Sequence, residues 1–147
     1  MAVLVTAWAA TAQPRLHVAP NEPIGEPVGI NSGRVAWIHN PGVATWDGKT
    51  GFWVEERWND QQKADDMVRQ AVMTLAGKKS AKAAWKALFK NFNQRHGKGN
   101  VGYKEGEKIA IKLNMNNAIT HRETIELNSS PYVTLALLRT LINDGGV

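Results

Sequence analysis

The segment Ser129-Ser130-Pro131, followed by Tyr132-Val133-Thr134-Leu135-Ala136-Leu137-Leu138-Arg139-Thr140-Leu141-Ile142, limits the fold more than any other part of the chain. Ser130 is placed to cap a helix, because its side-chain oxygen can accept from an orphan N–H of the first turn. Pro131 suits the first helical position, where a missing N–H costs nothing. The predicted helix runs to about Asn143, with Val133, Leu135, Leu137, Leu138, Leu141 and Ile142 spreading apolar surface over most of its sides. Such a helix is expected beneath other elements. Asp144-Gly145-Gly146 supplies the stop, and the sequence closes on Val147. This is the pattern of a βα unit whose next strand is cut away. A domain truncated at its C-terminus is therefore expected, with an exposed apolar face near Leu137, Leu138 and Leu141.

Two amphipathic helices are predicted upstream. Over Asp60 to Ala76, the residues Ala64, Met67, Val68, Ala71, Val72 and Leu75 recur at helical spacing, and Gly77 ends the run. Ser80 caps the second helix, in which Trp85, Leu88, Phe89 and Phe92 form one stripe. Lys82, Lys86 and Lys90 stand four apart beside that stripe, and Gly97 closes the helix.

The strand signals are weaker. Arg34-Val35-Ala36-Trp37-Ile38-His39 reads as a mostly buried strand ended by Asn40-Pro41-Gly42. Glu107 to Asn114 alternates with period two, Ile109, Ile111 and Leu113 on one face and Lys108, Ala110, Lys112 and Asn114 on the other. The fold class expected from these elements is α/β: an incomplete layered sheet of about two strands with three helices. Between strand one and helix one, the loop from Pro41 to Asn59 holds Trp46, Phe52, Trp53 and Trp58. A loop of that length is a lid or a packed Ω-like segment, and its aromatics more often plug the loop onto the core than stack a ligand. Met115 to Asn128 has no clear period and reads as a polar loop.

The first residues read differently. Met1 to Ala12 carry no charge, and Ala10-Thr11-Ala12 before Gln13-Pro14 has the small residues a signal peptidase reads. A leader remnant over 1–12 suits this composition better than a packed apolar segment, although a positive n-region is missing. Pro and Gly crowd 13–33, an extended lead-in, which leaves 34–147 as the N-terminal part of one α/β domain. An exported bacterial protein, periplasmic or extracellular, is expected. No apolar run approaches the roughly 18–20 residues of a membrane-spanning helix.

Charge is unevenly distributed. Between Lys78 and Lys112 lie nine Lys and one Arg against Glu105 and Glu107, a net +8, whereas the rest of the chain carries −3. The segment is either a solvated lysine-rich surface or a face for an anionic partner.

With no cysteine in the chain, thiolate nucleophiles and cysteine-ligated zinc or iron–sulfur clusters are excluded within it. Gly97, Gly99 and Gly102 spell G-x-G-x-x-G, but they follow a helix and precede a strand. A dinucleotide fingerprint needs the opposite order, so that the pyrophosphate meets a helix N-terminus. His121-Arg122-Glu123 imitates the H-x-E of zinc deaminases without the cysteine pair those enzymes require. No G-x-S-x-G occurs, and the histidines have no metal-ligand spacing. No metal site and no catalytic residue is assigned, and whether the protein is an enzyme stays open.

The candidate ligand site is Lys112, Asn114 and Asn116, with His39. The first three stand at the expected C-terminal end of a strand leading toward a helix, where α/β sheets bind ligands. Lys112 could hold an anion and the asparagines could orient it. His39 stands at the matching end of the other strand. Equally, Lys112 could snorkel from a sheet edge while the asparagines build the turn.

Ile111-Lys112-Leu113-Asn114 followed by Pro131 through Leu141-Ile142 to Gly146-Val147 resembles a bacterial family known only as domain of unknown function three-six-two. Gly33 to His39, Trp85 to Phe89 and Gly97-Lys98-Gly99 are similar to exported members, so the likeness covers about residues 29–147. The resemblance implies an α/β domain, export in many members, and no settled activity. Some relatives carry ferredoxin-type clusters, which this cysteine-free chain cannot ligate. Family members have His-Asp-Pro where this chain has His39-Asn40-Pro41, which puts a metal or proton role there in doubt. Three functions are compatible with the whole reading: binding of an anionic small molecule at a strand-end crevice, a non-enzymatic module that holds a polyanion on its basic face, or purely structural or interaction work. In an exported protein, nucleic acid is the less natural polyanion.

Overall fold

A computed structural model of the chain describes residues 22, 24–115 and 128–147. Three helices organise it: α1 (Gln61–Ala76), α2 (Ala81–Arg95) and α3 (Pro131–Asn143), preceded by a single 3-10 turn at Glu56–Trp58.

The helix ends lie where the capping residues put them. The Asp60 carboxylate accepts from the Lys63 N–H at 3.0 Å, the Ser80 hydroxyl from the Ala83 N–H at 3.3 Å, and the Ser130 hydroxyl from the Val133 N–H at 3.5 Å. α1 stops at Gly77, whose φ of 64° is left-handed. There the Gly77 N–H donates to Thr74 O at 3.2 Å and the Lys78 N–H to Met73 O at 3.0 Å, the paired bonds of a Schellman turn. α2 ends in the same way at Gly97, through Gly97 N to Gln94 O and Lys98 N to Asn93 O.

α1 is central and packs against both α2 and α3. The residues at these contacts are small: Ala64, Ala84 and Ala136 are almost fully buried. Alanine at a crossing lets helix axes approach closely. Val72, Ala76 and Ala84 form the middle of the core, with Val68, Met73, Trp85 and Leu88 packed around them. A polar network ties the three helices. Buried Thr140 accepts the Trp85 indole N–H at 3.3 Å and donates to Asp144 at 2.9 Å, while Arg69 of α1 reaches the same Asp144 carboxylate at 3.0 Å.

The loop from Pro41 to Asn59 closes on itself. An isolated antiparallel bridge joins Ala44 with Asn59, flanked by Thr45 N to Trp58 O and Asp60 N to Val43 O. The Tyr132 hydroxyl donates to Val54 O at 3.0 Å, which docks the loop on α3. Upstream, the Asn31 amide donates to Leu75 O, and the Arg34 guanidinium donates to Thr74 O, which also accepts the Gly77 N–H; both tie the lead-in to the end of α1.

The α/β expectation is overturned. Among the described residues there is no β-strand and no sheet; their regular structure is helical. Residues 35–39 and 108–113 make no backbone hydrogen bond among the described residues. Val35 and Trp37 are 85% and 77% exposed, so the segment read as a buried strand lies on the surface. Ile109, Ile111 and Leu113 are also exposed. Alternation specifies which side chains share a face, but a strand exists only when a second backbone completes its ladder. The apolar α3 is only partly covered. Leu141 is buried on its neighbours and Leu137 is half-buried, while the exposed apolar surface runs along Val133, Leu135, Leu138 and Ile142.

Candidate functional site

The features richest in chemistry gather around α2. The Ser80 cap fixes the helix register, and the four-residue spacing then sets Lys82, Lys86 and Lys90 along one side. The neighbouring stripe carries Trp85, Phe89 and Phe92. Trp85 and Phe89 stack with centroids 5.7 Å apart, and Phe92 stacks on His96 at 4.0 Å.

Asn93 makes the next step possible. It is buried, and its amide donates to Val101 O and Gly102 O, both at 3.1 Å. These bonds fold the glycine-rich turn back against α2. The glycines thus serve the turn: Gly97 and Gly99 have φ of 72° and 83°, conformations that a Cβ would strain. Returning along α2, the chain brings Tyr103 to 5.7 Å from Phe89.

A groove of ≈ 490 Å³ opens between α2 and this returning segment, with Trp85, Phe89, Phe92 and Tyr103 on its walls and Lys98, Glu107 and Lys108 among the charged residues lining it. A second hollow of ≈ 380 Å³ adjoins it, sharing Phe89 and Tyr103 and bringing in Lys82, Lys86 and Asp144. Glu107 accepts the Lys104 N–H at 2.9 Å and pairs with the Lys98 ammonium at 3.5 Å. These interactions, the Lys104 N–H foremost, hold its carboxyl below the usual carboxylate range. Of the nine Lys and one Arg from Lys78 to Lys112, Lys98 alone is ion-paired among the described residues.

The residues chosen from sequence stand elsewhere. His39 is exposed and stacks on Trp37 at 5.6 Å. Lys112 is exposed and unpaired among the described residues. Asn114 is tied by its backbone to Ser129: its N–H donates to the Ser129 hydroxyl at 3.0 Å, and its carbonyl accepts from that hydroxyl at 2.8 Å. Asn116 and His121 lie outside the described residues. Among the described residues no hydrogen bond or ion pair joins His39 to Lys112 or Asn114, and no sheet forms that would make their crevice.

Sequence reasoning missed the groove because Tyr103 meets Phe89, and Asn93 meets Val101 and Gly102, only in three dimensions. One signal was available. Asn93 continues the apolar stripe four residues after Phe89, where a buried amide needs partners, and a glycine turn follows at once.

Among the described residues no group of His, Asp and Glu is arranged to hold a metal ion, and no helix is long and apolar enough to cross a membrane. Comparison with protein families, with characterised proteins and with solved structures finds no match to this chain.

Proposed function

We propose that the protein is a binding module for an anionic ligand, held by the cationic face from Lys78 to Lys112. The supporting observation is the set of unpaired cations. A lysine that builds structure is normally paired or packed, and at the α1–α3 interface Arg69 and Arg139 are paired with Asp144 and Asp65. On the α2 side Lys78, Lys79, Lys82, Lys86 and Lys90 have no carboxylate partner among the described residues. Such a surface attracts anions over a range set by the Debye length, roughly 8 Å at physiological salt.

A polyanion such as an acidic cell-wall polymer is the occupant this face fits best. The narrower reading, a small anion at Lys112, Asn114, Asn116 and His39, keeps the exposed Lys112 cation as its support; a thermal-shift screen with carboxylates and phosphates, repeated on Lys112→Ala, decides it. Export, and kinship with the domain family of unknown function, belong to the same proposal and rest on Met1–Ala12 and on the motifs from Ile111 to Val147. Fusing residues 1–21 to a reporter that is active only outside the cytoplasm tests export.

Heparin serves as the probe polyanion. Its affinity is expected to fall steeply as salt rises and to weaken about tenfold or more in a Lys82→Glu/Lys86→Glu variant. Weak, salt-insensitive retention, unchanged by the charge reversals, would overturn the reading.

A further inference from the structure

We infer that the groove beside α2 is a binding subsite for an organic anion with a flat aromatic body, a site separate from Lys112, Asn114, Asn116 and His39. The inference rests on the cationic-face reading and adds to it what the ligand must look like. Its basis is the way rings and charges are arranged.

The walls offer ring surface. Trp85, Phe89 and Tyr103 form a chain of neighbours with centroids 5.7 Å apart at each step, and Phe92, 54% exposed, lines the same groove. In soluble proteins aromatic side chains are usually covered, so a run of them around an open hollow favours a planar guest, which can stack on ring faces. The volume, ≈ 490 Å³, falls within the roughly 300–1,000 Å³ of small-molecule pockets.

Charge then decides between guests. Two acids line the hollows on either side of Phe89 and Tyr103. Glu107 is taken by Lys98 and the Lys104 N–H, and Asp144 by Arg69 and the Thr140 hydroxyl. Among the described residues, the charges left unpaired around the two hollows are Lys82, Lys86 and Lys108, all positive. A cationic guest meets no free carboxylate there among the described residues, and a neutral one leaves the ammonium groups unused. A guest with a flat body and a carboxylate or sulfonate satisfies both the rings and the cations. A second copy of the chain, with its own +5 charge, is the poorer fit.

The probe is 8-anilinonaphthalene-1-sulfonate, which carries both features and reports by fluorescence. Titrated into the full chain it is expected to bind saturably, one per protein. Affinity should fall about tenfold or more in Ala110→Trp, which fills the groove from an exposed position, and several-fold in Lys108→Glu. Gln62→Glu, which adds one negative charge on the exposed side of α1, should leave it unchanged. Each variant is first shown to melt cooperatively at the wild-type temperature. Unsaturable dye binding, or binding that ignores Ala110→Trp, would overturn the inference. So would concentration-dependent dimerisation that Ala110→Trp abolishes, since the groove would then be an interface. Heparin binding is measured on the same samples. If it persists with its salt dependence while the dye result fails, the groove inference falls alone; if both fail, the cationic-face reading falls with it.

Discussion

The two flanks of α1 treat charge in opposite ways. On the α3 flank Arg69, Arg139, Asp65 and Asp144 are paired across the helices, and Thr140 links the Trp85 indole to Asp144. On the α2 flank the lysines outnumber the acids, and the acid that does pair, Glu107, is already satisfied. Paired charges in a partly buried network fix how helices sit. Unpaired ones raise the local potential and contribute little to the fold. On the α3 flank charge positions the helices, whereas on the α2 flank, packed by apolar residues, most of the cations stay unpaired among the described residues; the proposed binding face rests on that difference.

Substitutions sharpen that contrast. Leu141→Ala, at a buried position of α3, should destabilise the protein by about 2–5 kcal/mol in denaturant titration. Thr140→Val keeps the shape but leaves the Trp85 N–H without its acceptor and removes a donor from Asp144, costing about 1–3 kcal/mol in the same measurement. If Thr140→Val is neutral, the network is not what holds α2 to α3. By contrast, Lys82→Glu/Lys86→Glu on the open flank should stay within about 0.5 kcal/mol per site of wild type. The smallest effect expected is on acid stability. Asp47, Asp60 and Glu107 all have carboxyl pKa values lowered in the folded chain, each first by a backbone N–H: those of Thr50, Lys63 and Lys104 respectively. Stability from these groups is present above the unfolded carboxylate pKa of about 4 and is lost as pH falls through the lowered folded values. Melting temperature should therefore fall modestly below about pH 4, and Asp60→Asn should flatten the fall; an unchanged slope in that variant would remove Asp60 from the account.

The same two flanks show why some of the fold could be read from sequence. Helices satisfy their own backbone, so Asp60, Ser80 and Ser130 at the starts and Gly77 and Gly97 at the ends carry local information that survives folding. α1, α2 and α3 lie where those residues put them, within a residue or so. The alternation in Glu107 to Asn114 is present as a pattern, but its meaning depends on a partner backbone that the described residues supply only at Asn114, whose carbonyl accepts the Ser129 N–H. The same holds for Arg34 to His39, where Val35 and Trp37 stand in solvent while Ala36 and Ile38 are half-buried. The site was legible as charge and not as shape. The lysine excess could be counted along the chain, whereas the groove needed Asn93 to turn the chain back and bring Tyr103 beside Phe89.

The most direct measurement reverses one charged region at a time. Heparin affinity and thermal midpoint are recorded at several salt concentrations for the wild type, for Lys82→Glu/Lys86→Glu and for Arg139→Gln. The account predicts that the lysine reversals reduce affinity about tenfold or more and flatten its salt dependence at an unchanged midpoint. Arg139→Gln should lower the midpoint and leave binding intact. Equal loss of binding in both variants, or none in either, would contradict the division between a structural flank and a binding flank.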